Sequence, residues 1–114
     1  MSWKGICVGL FLYSVIGQTW AASFNCQKAA TATEKAICQQ PILREVDRKM
    51  SKTYFRLQHV APQSMKTILH DEQRYWLGNR DRCKRSVQCL VASYETRQQQ
   101  LDEYIQRLEN IPLS

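Results

Sequence analysis

Four cysteines constrain this chain more than any other feature: Cys26, Cys38, Cys83 and Cys89. The fifth, Cys7, lies in a leader-like stretch. "MSWK" carries one cation, "GICVGLFLYSVIG" is apolar, and "QTWAAS" ends the stretch with small residues. That is the three-part form of a secretory signal peptide. The apolar run falls short of the roughly 20 residues that a membrane-spanning helix needs. Thr19 and Ala21 occupy workable −3 and −1 positions, so cleavage is expected after Ala21 or Ala22. The expected division is a cleavable leader over residues 1–22 and one domain over 23–114. Neither Cys7 nor Cys26 follows a lipidation sequence, so the expectation is a soluble periplasmic or secreted protein with no integral membrane association after cleavage.

An even cysteine count in a short exported chain marks a disulfide framework. A domain of this size buries only somewhat more than about 60% of its unfolded surface, so cross-links matter to it. Four cysteines allow three connectivities, and the spacing favours the local pairs Cys26–Cys38 and Cys83–Cys89. A zinc site is the weaker reading, because such sites usually show Cys pairs two to four residues apart or added histidines at helical spacing. Here eleven and five residues intervene, and His59 and His70 stand eleven positions apart. A redox pair would more often be Cys-x-x-Cys in a βαβ setting. No cofactor and no metal is expected.

The remainder reads as helix. Beyond the leader the only glycine is Gly78 and the prolines are Pro41, Pro62 and Pro112, among many Gln, Lys, Arg, Glu, Leu and Ala. "TATEKAICQQ" opens with Thr31 and has Glu34 three residues on, a capping-box pattern, and should end near Pro41. The next segment puts Leu43, Val46, Met50, Tyr54, Leu57 and Ala61 on one stripe. Pro62 suits the first turn of a third helix, on which Met65, Ile68, Leu69, Glu72, Trp76 and Arg80 share a face. In the last, Val87, Leu90, Tyr94, Arg97, Leu101, Tyr104 and Leu108 alternate steps of three and four. The expected fold is all-α: a small disulfide-stapled antiparallel helical bundle of three main helices plus one short N-terminal helix. No β-pattern competes.

"FNCQKAATATEKAICQQPILREVDRKMSKTY" followed by "DEQRYWLGNRDRCKRSVQCLVASYETRQQQL" resembles the LprI-like domain family, named for a lysozyme inhibitor. The likeness rests on Lys35-Ala36-Ile37-Cys38 with Pro41, on Leu43, Asp47 and Tyr54, and on "QRYWLGNRDRC". Cys89, Tyr94, Glu95, Arg97 and Leu101 complete it. The resemblance implies an exported helical envelope domain with two disulfides and the inhibition of muramidase-type cell-wall lytic enzymes. It transfers no individual binding residue. The partner it implies is a lysozyme-type protein. The alternative is a structural or accessory envelope protein, or an immunity factor, contacting anionic wall or membrane components.

No nucleophile with a spaced base marks an enzyme. Glu72 and Glu95 sit beside arginines in helical stretches, where ion pairs are the common arrangement. Arg97 takes a seam position and requires a carboxylate partner, for which Asp47, Glu72 and Asp81 are the candidates. Trp76, on the stripe of Met65 and Leu69, is expected in the core, and Tyr94 and Tyr104 as core aromatics whose hydroxyls reach the edge. Arg80, Arg82, Lys84 and Arg85 form the densest cationic run, set between the helices that Cys83 and Cys89 would clamp. They complement the dipole of the preceding helix and are the candidate partner-binding residues. The formal charge of +6 becomes +5 when Lys4 leaves with the leader. No recognition motif accompanies that charge, so nucleic acid is not an expected partner.

Overall fold

The computed structural model describes residues 20, 21 and 24–110. The expected leader lies outside them except for Trp20 and Ala21. Four α-helices follow one another: α1 (Ala32–Gln39), α2 (Pro41–Val60), α3 (Gln63–Asp81) and α4 (Val87–Glu109). The all-α, disulfide-stapled bundle expected from the sequence is the observed fold. One addition precedes it. Trp20–Ala21 pairs antiparallel with Phe24–Asn25, Trp20 opposite Asn25 and Ala21 opposite Phe24, before a 3-10 turn over Cys26–Lys28. A ladder two residues long has no periodicity for a sequence reading to detect.

Each helix end has a local cause. The Thr31 side chain accepts from the Glu34 N–H at 3.0 Å, while Glu34 Oε1 accepts from the N–H groups of Ala30 (2.8 Å) and Thr31 (3.2 Å). This reciprocal capping starts α1 and holds the Glu34 carboxyl below the usual carboxylate range, the Ala30 bond contributing most. Pro41 ends α1 and begins α2 at the first helical position, where its missing N–H is not needed. Arg44 Nη1 donates to the Cys38 carbonyl at 2.6 Å, satisfying a group left over at the end of α1. Pro62 does not enter α3 as expected but caps it, with ψ 156° and α3 starting at Gln63.

The three long helices run up, down and up. Asp47 and Thr53 of α2 bond Tyr94 and Gln98 of α4 in the same chain order, so these helices are parallel. The helix that connects them in the chain, α3, runs the other way, placing Tyr104 of α4 beside Glu72 and Arg80 beside Tyr94. Ile37, Leu43, Met50, Leu57, Leu69, Leu90 and Leu101 are fully buried where the stripes meet. On α3 the buried set is Leu69, Gln73, Trp76 and Arg80, and Ile68, expected inward, is 51% exposed. It stands one residue, a turn of about 100°, from Leu69, and only one of the two can face the core.

Both local disulfides are formed, with Cα–Cα distances of 5.7 Å for Cys26–Cys38 and 5.5 Å for Cys83–Cys89. Their four sulfurs are therefore not thiolates free to ligate a metal. The first ties the irregular N-terminal segment to the end of α1, an eight-residue helix too short to be stable alone. Replacing Cys26 and Cys38 together with alanine should lower stability by about 3 kcal/mol, from loop entropy. Urea unfolding of the double variant reads this directly; a loss below about 0.5 kcal/mol would contradict the stapling role.

The cationic corner and the polar network beneath it

Between α3 and α4 the chain turns in five residues, Arg82 to Ser86. The N–H groups of Arg82, Cys83 and Lys84 donate to the carbonyls of Asn79, Arg80 and Asp81 at 3.0–3.1 Å, and Ser86 N–H donates to the Cys83 carbonyl at 3.0 Å. Ser86 then caps α4, its hydroxyl accepting from Cys89 N–H at 3.2 Å. The Cys83–Cys89 bridge spans this turn. Arg82, Lys84 and Arg85 are exposed on it. Lys84 has φ +54°, the left-handed region that glycine or asparagine occupies at lower cost. A lysine there costs about 1 kcal/mol or more against glycine, so the position carries backbone strain.

Arg80 does not belong to that exposed group. Read in the sequence both as one of four docking cations and as a member of the Trp76 face, it is 3% exposed and turned inward. Its Nε and Nη2 donate to Asp81 Oδ1 at 3.1 and 2.9 Å, and its Nη1 donates to the Tyr94 hydroxyl at 3.1 Å. Tyr94 in turn donates to Asp47 Oδ1 at 2.7 Å. The guanidinium also lies 5.8 Å over the Trp76 ring, which packs edge-on to Tyr94 at 5.0 Å between centroids. Helical phase explains the inward turn: Arg80 follows Gln73 and Trp76 on the buried side of α3, while Arg82 lies two residues, about 200°, around it.

Burial works against the Arg80 charge, but Tyr94 and Asp81 outweigh it and hold the guanidinium above its ordinary pKa. For Tyr94, burial and the Asp47 carboxylate both push the hydroxyl's pKa upward. The chain Asp47–Tyr94–Arg80–Asp81 joins α2, α4 and α3, and Thr33 Oγ1 brings in α1 by donating to the Asp81 carbonyl at 3.2 Å. The Tyr94 hydroxyl, expected at an edge, is thus at the centre.

A second polar layer lies farther from the corner. Arg97, 2% exposed, donates from Nε to Gln73 Oε1 at 2.9 Å and from Nη1 to Gln100 Oε1 at 3.1 Å. Its Nη1 is 3.6 Å from Glu72 Oε1, and Glu72 accepts the Tyr104 hydroxyl at 3.1–3.2 Å. Of the three candidate partners, Glu72 is the one paired with Arg97; Asp47 and Asp81 serve the Tyr94–Arg80 chain. Burial pulls the Arg97 pKa below its ordinary value, and Glu72 restores only part of it. Gln73, missed in the sequence, links this layer to α2 through Met50 Sδ at 3.4 Å. The α3–α4 side of this layer opens into a groove of about 690 Å³, lined among others by Tyr75, Trp76, Asn79, Arg97 and Tyr104.

Tyr94→Phe should destabilise the protein by about 2 kcal/mol, since it strips a donor from a buried carboxylate and an acceptor from a buried guanidinium. The pH dependence follows from the raised pKa. Tyr94 favours the fold fully below the ordinary tyrosine pKa of about 10, and that contribution is lost as pH rises through the higher folded value. The wild-type protein should therefore lose stability above about pH 10 more steeply than Tyr94→Phe does. Tyrosine absorbance and circular dichroism followed together test this; identical alkaline profiles would overturn it.

No curated protein and no solved structure matches this chain. A family model does, over residues 26–101, from the first cysteine of the framework to the last buried leucine of α4. That span contains both disulfides, the cationic corner and every residue of the Asp47–Tyr94–Arg80–Asp81 chain. The model is that of the lysozyme inhibitor LprI, and the chain belongs to the LprI family.

Proposed function

We propose that this protein is an exported, non-catalytic inhibitor of a muramidase-type wall hydrolase, and that Arg82, Lys84 and Arg85 are its contact with the enzyme. Family membership supports the inhibitor class. The single observation that carries the contact assignment is Lys84 at φ +54° on a disulfide-clamped turn. Strained backbone persists where the surroundings over-determine it, and such positions cluster at functional sites. Glycoside hydrolases work with paired carboxylates in a cleft, and three cations on a rigid tip are their electrostatic complement. A rigid tip also loses little conformational entropy on docking.

Export before residue 23 belongs to the same reading, as does a periplasmic or secreted location. The formal charge of +5 that remains when Lys4 leaves with the leader gives no long-range attraction to a basic lysozyme, so the local match has to decide affinity. A partner with an acidic cleft and a near-neutral surface fits best.

Purified protein should slow lysis of bacterial walls by at least one of the c-type, g-type or i-type lysozymes. Reversing Arg82, Lys84 and Arg85 to glutamate should raise the inhibition constant by about 100-fold or more, as hot-spot charges do. Lys84→Gly separates the roles of backbone and side chain: stability should hold or rise by up to about 1 kcal/mol while inhibition weakens. Absence of inhibition of every lysozyme class at large molar excess sinks the inhibitor reading. Full inhibition by the triple variant sinks the tip alone.

A further inference from the structure

The groove between α3 and α4 has a chemistry that the cationic corner does not use. Its exposed wall is Tyr75, 74% exposed on α3. The Asn79 and Gln100 amides face it from the two helices. Its charges nearly cancel: Asp71, Glu72 and Glu103 stand against Arg97 and Arg107. Several of these groups are already fixed in place. Tyr104 donates to Glu72, Arg107 stacks 5.1 Å over the Tyr104 ring, and Gln100 accepts from Arg97. One group is not satisfied. Arg97 Nη2 is buried and has no hydrogen-bond partner, so this guanidinium retains donor capacity beyond Gln73, Gln100 and Glu72.

A balanced charge disfavours a strongly ionic ligand, since one sign of carboxylate or guanidinium would always oppose it. A purely apolar ligand would desolvate these polar groups without replacing their hydrogen bonds. The ligand that fits has hydroxyls to meet amides, carboxylates and a guanidinium, and an apolar face to lie on an exposed aromatic ring. At about 690 Å³ the groove is within the size range of small-molecule sites. We infer that this groove is a binding site for a neutral oligosaccharide of a few rings, with Tyr75 as its stacking platform and Asn79, Gln100 and Arg97 as its hydrogen-bonding groups. The groove's lining includes none of Arg82, Lys84 and Arg85, and the inference does not depend on the tip.

The experiment titrates the purified protein with two probes, the trimer of N-acetylglucosamine and cellotriose, following amide shifts by NMR. At least one should give saturable shifts centred on residues 71–79 and 96–107, with a dissociation constant at or below about 1 mM. Tyr75→Ala, at an exposed position that the fold does not need, should weaken binding about tenfold. Gln100→Ala should weaken it several-fold, and the triple charge reversal at Arg82, Lys84 and Arg85 should leave it unchanged. No saturable shift with either probe at about 10 mM overturns the inference, as does binding that Tyr75→Ala leaves intact. If neither saccharide binds and Tyr75→Ala instead weakens lysozyme inhibition, the groove is a protein interface and the inference fails. Loss of the inhibitor reading itself would leave the saccharide titration as it is.

Discussion

The Tyr94 hydroxyl, held between Asp47 and Arg80, is the interaction on which the rest of the structure depends. Asp47 and Arg80 are both almost entirely removed from water, and a buried charge without a partner costs several kcal/mol. They sit on α2 and α3, and one group that bonds both comes from α4. The three long helices therefore cannot shift register independently without breaking the Tyr94 bonds to a buried carboxylate and a buried guanidinium. Apolar stripes alone leave such shifts comparatively cheap, because Leu43, Leu57 and Leu90 offer contacts without direction. α1 joins through the Asp81 carbonyl and the Cys26–Cys38 bridge, so a helix of eight residues acquires a fixed place.

This network also reaches the surface. Asp81 binds Arg80 and is the last residue of α3, and the exposed turn begins at Arg82. One side of the corner is anchored by the buried guanidinium, the other by the Ser86 cap, and the Cys83–Cys89 bridge joins them. Arg82, Lys84 and Arg85 are thus displayed by a support that is rigid on both sides. Preorganisation of this kind lowers the ordering cost of binding, which is the physical link between the interior and the proposed inhibition.

Most of the fold was legible in the sequence, for reasons that can be named. The capping box at Thr31 and Glu34, the helix break at Pro41 and the seam of α4 are local patterns with local causes. The cysteine pairing followed from short loops. What was hidden depends on which neighbour a side chain meets. Arg80 reads two ways in the sequence, as part of the basic run and as a member of the Trp76 face, and the structure places it on the second. Gln73 reads as a solvated residue until Arg97 and Met50 are seen on either side of it. The Tyr94 hydroxyl was expected at an edge because two ionised partners from two other helices are invisible to a reading of one stripe. Ile68 failed for a simpler reason: it and Leu69 are adjacent, and apolar spacing does not choose between them. The α3–α4 groove was not foreseen, since a groove is a property of how two helices diverge.

The claim that one buried network sets this architecture is tested most directly by a double-mutant cycle between Asp47 and Arg80. Stabilities of wild type, Asp47→Asn, Arg80→Met and the double variant would be measured by urea unfolding with the disulfides intact. If Tyr94 couples the two charges across the helices, the coupling energy should be about 1–3 kcal/mol, with the double variant less damaged than the sum of the singles. Additive losses, with coupling below about 0.5 kcal/mol, would contradict the account and return the register of the bundle to its apolar stripes and disulfides.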